Sequence, residues 1–346
     1  MRKRILTGDR PTGKLHLGHY VGSLKNRVTL QNEYECYFII ADLHTLTTQP
    51  EKTSELKNNI RELVLDYLSV GINPEKATIY IQSQIPEVGQ LATIFSNLVT
   101  VSRLQRVPTL KDVMRDLEIE NPSFGLLGYP VLQAADILSF RANLVPVGKD
   151  QASHIEVTRE IAREFNLLYP STPGVEDLLH PRRVGIFPIP EALIGEVPVL
   201  PGIDGKAKMS KSLGNVINLS DDSKTVRKQV MKMYTDPTRV HGDEPGDTKN
   251  NPVFIYLRAF GQEKHQEKII EYTKRYEVGK VGDVEVKEFL FEVLEEFLTP
   301  IRENRARLER DPELVERILK EGTEKARAEA QKTLELVRRA MKLDNF

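Results

Sequence analysis

Two short segments hold the residue types and spacings best suited to chemistry. The first, Gly8-Asp9-Arg10-Pro11-Thr12-Gly13-Lys14-Leu15-His16-Leu17-Gly18-His19-Tyr20, directly follows the apolar run Ile5-Leu6-Thr7. Glycines at 8, 13 and 18 let a phosphate or a ribose approach the backbone. A helix beginning near Gly18 turns free N–H groups and the positive end of its dipole toward an anion. His16 and His19 can donate hydrogen bonds to phosphoryl oxygens and stabilise negative charge that grows during group transfer. Glycine turns with two surface histidines are also common, so this segment alone decides nothing.

The second segment is Lys206-Ala207-Lys208-Met209-Ser210-Lys211-Ser212-Leu213-Gly214-Asn215, with Gly202 and Gly205 just before it. Lysines flanked by glycines and hydroxyls suit a loop that closes over a polyphosphate, each ammonium being a movable point charge for a departing pyrophosphate. A basic loop by itself is more often merely solvated. Two such segments near the start and end of one α/β stretch read together as the two loops of a single nucleotide site.

The elements that must position them follow from periodicity. Ile5-Leu6-Thr7, Tyr37–Ala41, Thr78–Gln82 and Leu144–Val147 read as strands separated by helical patterns, the trace of βα units on a parallel sheet. Leu56, Ile60, Leu63, Val64, Tyr67 and Leu68 lie on one helix face, which Gly71 closes before Asn73-Pro74 resets the chain. From about Ser220 strand signals fade, and a boundary is placed there, giving residues 1–219 and a mainly helical region 220–346. In that region Phe289, Leu290, Val293, Leu294, Phe297, Leu298 and Ile301 form one apolar stripe. Asp311-Pro312 reads as the start of a helix through Leu314, Ile318 and Leu319. A separate last helix follows Thr323, with Ala326, Ala330, Leu334, Val337 and Met341 on its apolar face. The segment from Asp236 to Pro252 reads as an exposed loop.

Composition bounds the function. At 346 residues the chain is long enough for about two domains, and 49 Lys and Arg against 50 Asp and Glu give a formal charge of −1. This excludes a globally basic nucleic-acid coat, so any polyanion must be met by a local cluster. The longest apolar run, Cys36 to Ala41, is far below the roughly 20 residues of a membrane helix, so no membrane partner is expected. The N-terminus enters its glycine loop before any signal-peptide apolar stretch, and Cys36 is the single cysteine; a cytoplasmic location is expected. One Cys and seven scattered His provide no structural metal ligand set, leaving only a substrate-carried cation such as Mg²⁺.

His16-Leu17-Gly18-His19 and Lys208-Met209-Ser210-Lys211-Ser212 resemble the HIGH and KMSKS signatures of class I aminoacyl-tRNA synthetases. Further segments resemble the tryptophanyl branch of bacterial and organellar type over nearly the whole chain: Ala41-Asp42-Leu43-His44, Tyr129 through Leu138, Val145 through Gln151 with His154-Ile155-Glu156, and Thr235-Asp236-Pro237. Two positions depart from that branch, His19 where its turn often ends in Asn, and Gln133 where its specificity helix often has Met. The resemblance implies a Rossmann-like doubly wound parallel sheet in the catalytic domain, a helical domain that binds the tRNA anticodon, and a homodimer. Arg302, Arg305, Arg307 and Arg310, and Arg338, Arg339 and Lys342, are clusters that can serve the tRNA, or solvated helix faces.

The implied reaction joins L-tryptophan to ATP, releasing pyrophosphate, and then transfers the aminoacyl group to tRNA(Trp), with Mg²⁺ carried by the nucleotide. Catalysis falls to His16, His19, Lys208 and Lys211. ATP binding is implied for Arg10, Pro11, Thr12, Gly18, Met209, Ser210 and Ser212, with Gly148, Lys149 and Asp150 at the ribose and Val199 at the adenine. Tyr129 and Gln151 would hold the amino-acid end of tryptophan, with Leu6, Val145 and Val147 as pocket walls and Gln133 nearby. Chemistry supports Asp136: indole has one N–H donor, so a selective pocket needs apolar walls and one buried acceptor. Tyrosyl-tRNA synthetase is the nearest rival, followed by a metabolite nucleotidyltransferase and a catalytically silent RNA-binding relative.

Overall fold

A computed structural model describes residues 2–147, 152–170, 185–194, 200–205, 208–235, 239 and 244–344. Five parallel strands form one sheet: β1 (Arg4–Asp9), β2 (Glu35–Ile40), β3 (Ala77–Ile81), β4 (Leu144–Val147) and β5 (Glu191–Ile194), in the order β3-β2-β1-β4-β5. The sheet is doubly wound as expected. The edge strand β5, no shorter than β4, escaped sequence reading because Glu191-Ala192-Leu193-Ile194 has one β-branched residue and opens on two that strands disfavour. Strand order reverses between β1 and β4, and such a switch point opens a crevice at the carboxyl ends of the strands.

Alternate residues of the central strands feed opposite faces. Ile5, Phe38, Ile40 and Ile79 join one core; Leu6, Tyr37, Ile39 and Tyr80 join the other. Gly8 lies where β1 and β2 approach so closely that a Cβ would stand 1.9 Å from the Ile39 carbonyl oxygen.

After β1 the chain runs through α1 (Leu17–His19), a π-helical turn (Tyr20–Leu24) and α2 (Lys25–Leu30); α3 (Asp42–Leu46) follows β2. Helix α4 (Leu56–Ser69) buries Leu63, Val64, Tyr67 and Leu68, the face anticipated. Helices α5 (Pro86–Phe95), α6 (Val101–Leu104), α7 (Pro108–Asp116), α8 (Phe124–Ser139) and α9 (Ala152–Leu168) precede β5. Five helices follow: α10 (Ser223–Met231), α11 (Pro252–Phe260), α12 (Gln266–Glu277), α13 (Asp283–Leu308) and α14 (Leu314–Ala340).

The last stretch corrects the sequence reading, which separated two helices near Thr323. It is one helix, α14, and Gly322 is required inside it. There the helix crosses edge strand β3 so closely that a Cβ would meet the Ile79 carbonyl oxygen at 2.0 Å. Beside it the Ile81 N–H donates to Thr323 Oγ1 at 3.3 Å, so the helix covers an edge that would otherwise invite foreign strands. Ala326, Ala330, Leu334 and Val337 enter the second core, with Met341 packed against it. Residues of α13 share the first core with α4, so both cores continue across residue 219.

Candidate active site

The first loop is pinned before its histidines. Leu17 N–H donates to the Ile217 carbonyl at 3.0 Å and Leu219 N–H to the Leu15 carbonyl at 2.9 Å, with an antiparallel bridge between His16 and Asn218. His16 and His19 have ring centroids 3.8 Å apart. The His16 backbone N–H donates to His19 Nδ1 at 3.2 Å, which places the His19 ring proton on Nε2. Burial, with the repulsion that a protonated His19 and Lys211 would add, lowers His16 to about 3. Burial likewise lowers His19 to about 4, against the pull of Asp9. Both rings are therefore neutral near pH 7 and act as hydrogen-bond donors rather than as charges.

Asp9 ends β1 in a network that sequence reading missed. Arg27 Nη1 and the Tyr67 hydroxyl donate to its Oδ2 at 2.7 and 2.6 Å, while Arg27 Nη2 donates to the Gly8 carbonyl at 3.2 Å. Burial alone would raise the Asp9 carboxyl, but the Arg27 guanidinium brings it down to about 2. No local signal pairs residues 18 positions apart across a strand and a helix.

The lysine loop docks on the first loop. Gly18 N–H points at Met209 Sδ, 3.2 Å away, and Lys211 Nζ donates to the Thr12 carbonyl at 3.1 Å. Asn215 shapes the loop: its Oδ1 accepts from Ser210 N–H at 2.7 Å, and its Nδ2 donates to Asp204 and to the Lys208 carbonyl. Ser212 lies in the 3-10 turn Lys211–Leu213, which Gly214 leaves at φ 62°. Burial lowers the Lys211 ammonium from its ordinary value. Pro11 is buried and Thr12 exposed, whereas Arg10 lines the cleft and donates to Thr48 Oγ1 at 3.3 Å.

A cleft of about 870 Å³ opens at the carboxyl ends of β1 and β4. Leu6, Tyr129, Gln133, Asp136, Val145 and Val147 all line it, together with Asp9 and Lys208. Asp136, on α8, is buried; Gln82 Nε2 donates to its Oδ1 and Oδ2 at 3.0 and 2.8 Å, and His44 Nε2 lies 2.9 Å from Oδ2. The Gln82 Oε1 accepts from the His44 backbone N–H at 3.3 Å, which turns the Gln82 amide nitrogen toward the carboxylate. Burial pushes the Asp136 carboxyl upward, opposed by His44 and Gln82. Gln82 closes the predicted strand 78–82 with no sign of its role, which arises 54 positions from Asp136. Gly148, Lys149, Asp150, Gln151 and Val199 lie outside the described residues, as do Lys206, Ala207, Asp236 and Pro237. Among the described residues no group of three or more His, Cys, Asp or Glu is arranged to hold a metal ion, and no helix is long and apolar enough to cross a membrane.

A parallel sheet whose strand order reverses at a cleft lined by Lys208 of the second loop and by Gly8, Asp9 and Arg10 of the first suits an enzyme that activates its substrate with a nucleotide; His16 and His19, on the same first loop, do not line the cleft itself. The family model for class I tRNA synthetases (W and Y) matches residues 2–299. The tryptophan–tRNA ligase of Treponema pallidum (strain Nichols) is 54% identical over 342 residues, 98% of this chain and 97% of that one. The tryptophan–tRNA ligase of Borreliella burgdorferi is 52% identical, covering 97% of this chain and 93% of that one. Among solved structures, tryptophanyl-tRNA synthetase from Campylobacter jejuni complexed with ADP and tryptophan superposes with a TM-score of 0.82 at 35% identity, over 98% of this chain and 99% of that one. The chain belongs to the class I tRNA synthetase family of the tryptophan and tyrosine enzymes.

Proposed function

We propose that this protein is a tryptophan–tRNA ligase, which joins L-tryptophan to ATP as tryptophanyl-adenylate and then passes it to tRNA(Trp). The observation that carries this reading is the buried Asp136 carboxylate, clamped by Gln82 and His44 at the wall of an apolar-sided cleft beside both loops. A carboxylate offers about four acceptor positions, and among the described residues two nitrogens approach it, Gln82 Nε2 shared between both oxygens and His44 Nε2 at Oδ2. Acceptor capacity remains for a further donor, which suits the indole N–H. An amino acid without that donor leaves the acceptor unpaired, a defect that can cost roughly 10⁴-fold to 10⁵-fold in kcat/KM.

In the first step the tryptophan carboxylate attacks the α-phosphorus of ATP in line, and pyrophosphate departs. Positioning and charge stabilisation do the work. His19 Nε2–H and the neutral His16 ring serve the phosphate oxygens. Lys208 faces the cleft, and Lys211 exchanges the Thr12 carbonyl for pyrophosphate oxygens, neutralising charge alongside the Mg²⁺ that ATP carries. Tyr129 lines the cleft, and we assign the amino-acid end of the substrate to it and to Gln151. Arg10, Pro11, Thr12, Gly18, Met209, Ser210 and Ser212 are assigned to ATP with Gly148, Lys149, Asp150 and Val199. The helical region 220–346 is assigned to the tRNA anticodon, and the protein is taken to act as a cytoplasmic homodimer.

ATP–pyrophosphate exchange with tryptophan and tyrosine supplied separately tests this. Exchange with tryptophan alone is expected. Exchange with tyrosine alone would transfer Asp136 to a phenol-binding role, and exchange with neither would favour a binding protein. Because the chain contains no Trp, bound tryptophan can also be followed by its own fluorescence.

A further inference from the structure

The first loop bends at Gly13 and Lys14, and Leu15, which follows, is held from three sides. Its side chain is buried, its carbonyl accepts from Leu219 N–H at 2.9 Å, and its own N–H donates to Asp66 Oδ2 at 2.6 Å. Asp66 stands in the last turn of α4 and is fully buried, at 0% exposure. Its other oxygen, Oδ1, accepts from Arg305 Nη1 at 2.5 Å, and Arg305 comes from α13, 239 residues away.

Arg305 is 6% exposed, and its fork is filled by three carboxylates: Asp66 on Nη1, Glu62 on Nη2 at 2.8 Å, and Glu309 on Nε at 2.8 Å. The guanidinium thus fixes α4 to α13 and fixes the direction of the Asp66 carboxylate at once. Packing alone does not call for such a pair, since apolar side chains of similar volume commonly join two helices at lower desolvation cost. What the charged pair adds is a rigid, charge-assisted acceptor aimed at one loop amide, the residue before His16. The same carboxylate also attracts Lys211, whose ammonium rests on the Thr12 carbonyl three residues before Leu15.

We propose that Asp66 and Arg305 are positioning residues for the nucleotide-activating step: α13 orients the Asp66 carboxylate, and that carboxylate holds the Leu15 amide so that His16 and His19 face the phosphates. This rests on the reading above, in which those histidines serve ATP. Neither residue touches substrate. A helix in the C-terminal region thereby contributes to the geometry of a loop that follows the first strand.

The test uses the full chain with Asp66→Ala, Asp66→Asn and Arg305→Lys, each normalised to its titrated active sites. The readouts are the KM for ATP and kcat in pyrophosphate exchange, the calorimetric Kd for ATP, the fluorescence Kd for tryptophan, and the melting temperature. In Asp66→Ala the ATP parameters should worsen about tenfold or more while tryptophan affinity stays within twofold of wild type, as expected when a charge-assisted bond is lost. Asp66→Asn keeps an oxygen for the Leu15 amide and should recover most of the ATP-side loss although its melting temperature still falls. ATP parameters unchanged in Asp66→Ala overturn the proposal, as does a joint loss of ATP and tryptophan binding that Asn does not rescue. If Asp66→Ala does not fold, Arg305→Lys carries the same readout, and an unchanged ATP Kd there overturns the proposal equally. Absence of exchange in the wild type refutes the ligase reading instead, while the ATP Kd still reads the positioning role.

Discussion

Asp136 illustrates how little freedom a buried acceptor has once its neighbours are counted. With Gln82 and His44 on the carboxylate, replacing Gln82 by Met should raise the KM for tryptophan about tenfold, the cost of one charge-assisted hydrogen bond, and leave the KM for ATP unchanged. Steady-state exchange at varied tryptophan and ATP checks this, and equal changes in both constants would reject the selective role. The titrating residues predict a pH trend as well. His16 and His19 fall from 6.5 to about 3 and 4, so their contribution to stability is present above pH 6.5 and is lost as pH falls toward those values. Asp66, which burial raises from 3.8 to about 6 against the Leu15 amide and Arg305, acts oppositely: its contribution is present below 3.8 and lost as pH rises through 6. Asp136, whose carboxyl burial also raises, acts in the same sense as Asp66, and the two larger histidine shifts set the sign, so stability should rise with pH between about 4 and 6.5. Urea denaturation at pH 5 and pH 7.5 measures the sign, and a His16→Asn/His19→Asn variant should flatten the rise.

At the scale of elements, the loops and the helix over β3 make distinct demands. Lys208→Ala and Lys211→Ala should each slow adenylate formation more than they weaken tryptophan binding; an unchanged exchange rate would remove them from the pyrophosphate site. Gly322→Ala would thrust a Cβ to 2.0 Å from the Ile79 carbonyl oxygen, a backbone atom that cannot swing away. The α14–β3 contact must open, at a cost of about 1–3 kcal/mol as for overpacked cores. Denaturant titration gives that number directly, and a neutral result would contradict the close approach. Local spacing showed the faces of α4 and α14 well, because a period of 3.6 residues is a property of neighbours. It split the last helix near Thr323, where Gly322 sits inside a single helix because the distant strand β3 approaches it, a contact no local period reveals.

The whole molecule is tied together by its C-terminal helix. Glu329 accepts from Arg4 at 2.6 Å and from Arg141 at 2.9 Å, joining α14 to β1 and to the end of α8, while Arg327 donates to Glu87 at 3.1 Å. With both cores continuing across residue 219, calorimetry of the intact chain should show one unfolding transition rather than two. A separate early transition for the helical region would show that these contacts add little. Glu329→Gln should lower the melting temperature without altering exchange kinetics, since it leaves Arg4 and Arg141 half-paired far from the loops.

The amino-acid sequence by itself determined the strands around the switch point, the two glycine-bounded loops, and the acidic residue on an otherwise apolar helix. These are legible because phosphate loops, apolar periods and lone buried acceptors depend on residues close together in the chain. Tertiary structure alone decided which groups orient them: Gln82 on Asp136 across 54 positions, Arg27 on Asp9 across 18, and Arg305 on Asp66 across 239. Each is a hydrogen bond between elements whose separation in sequence carries no period. Its strength comes from burial, which exists only once the sheet and its helices have closed over the pair.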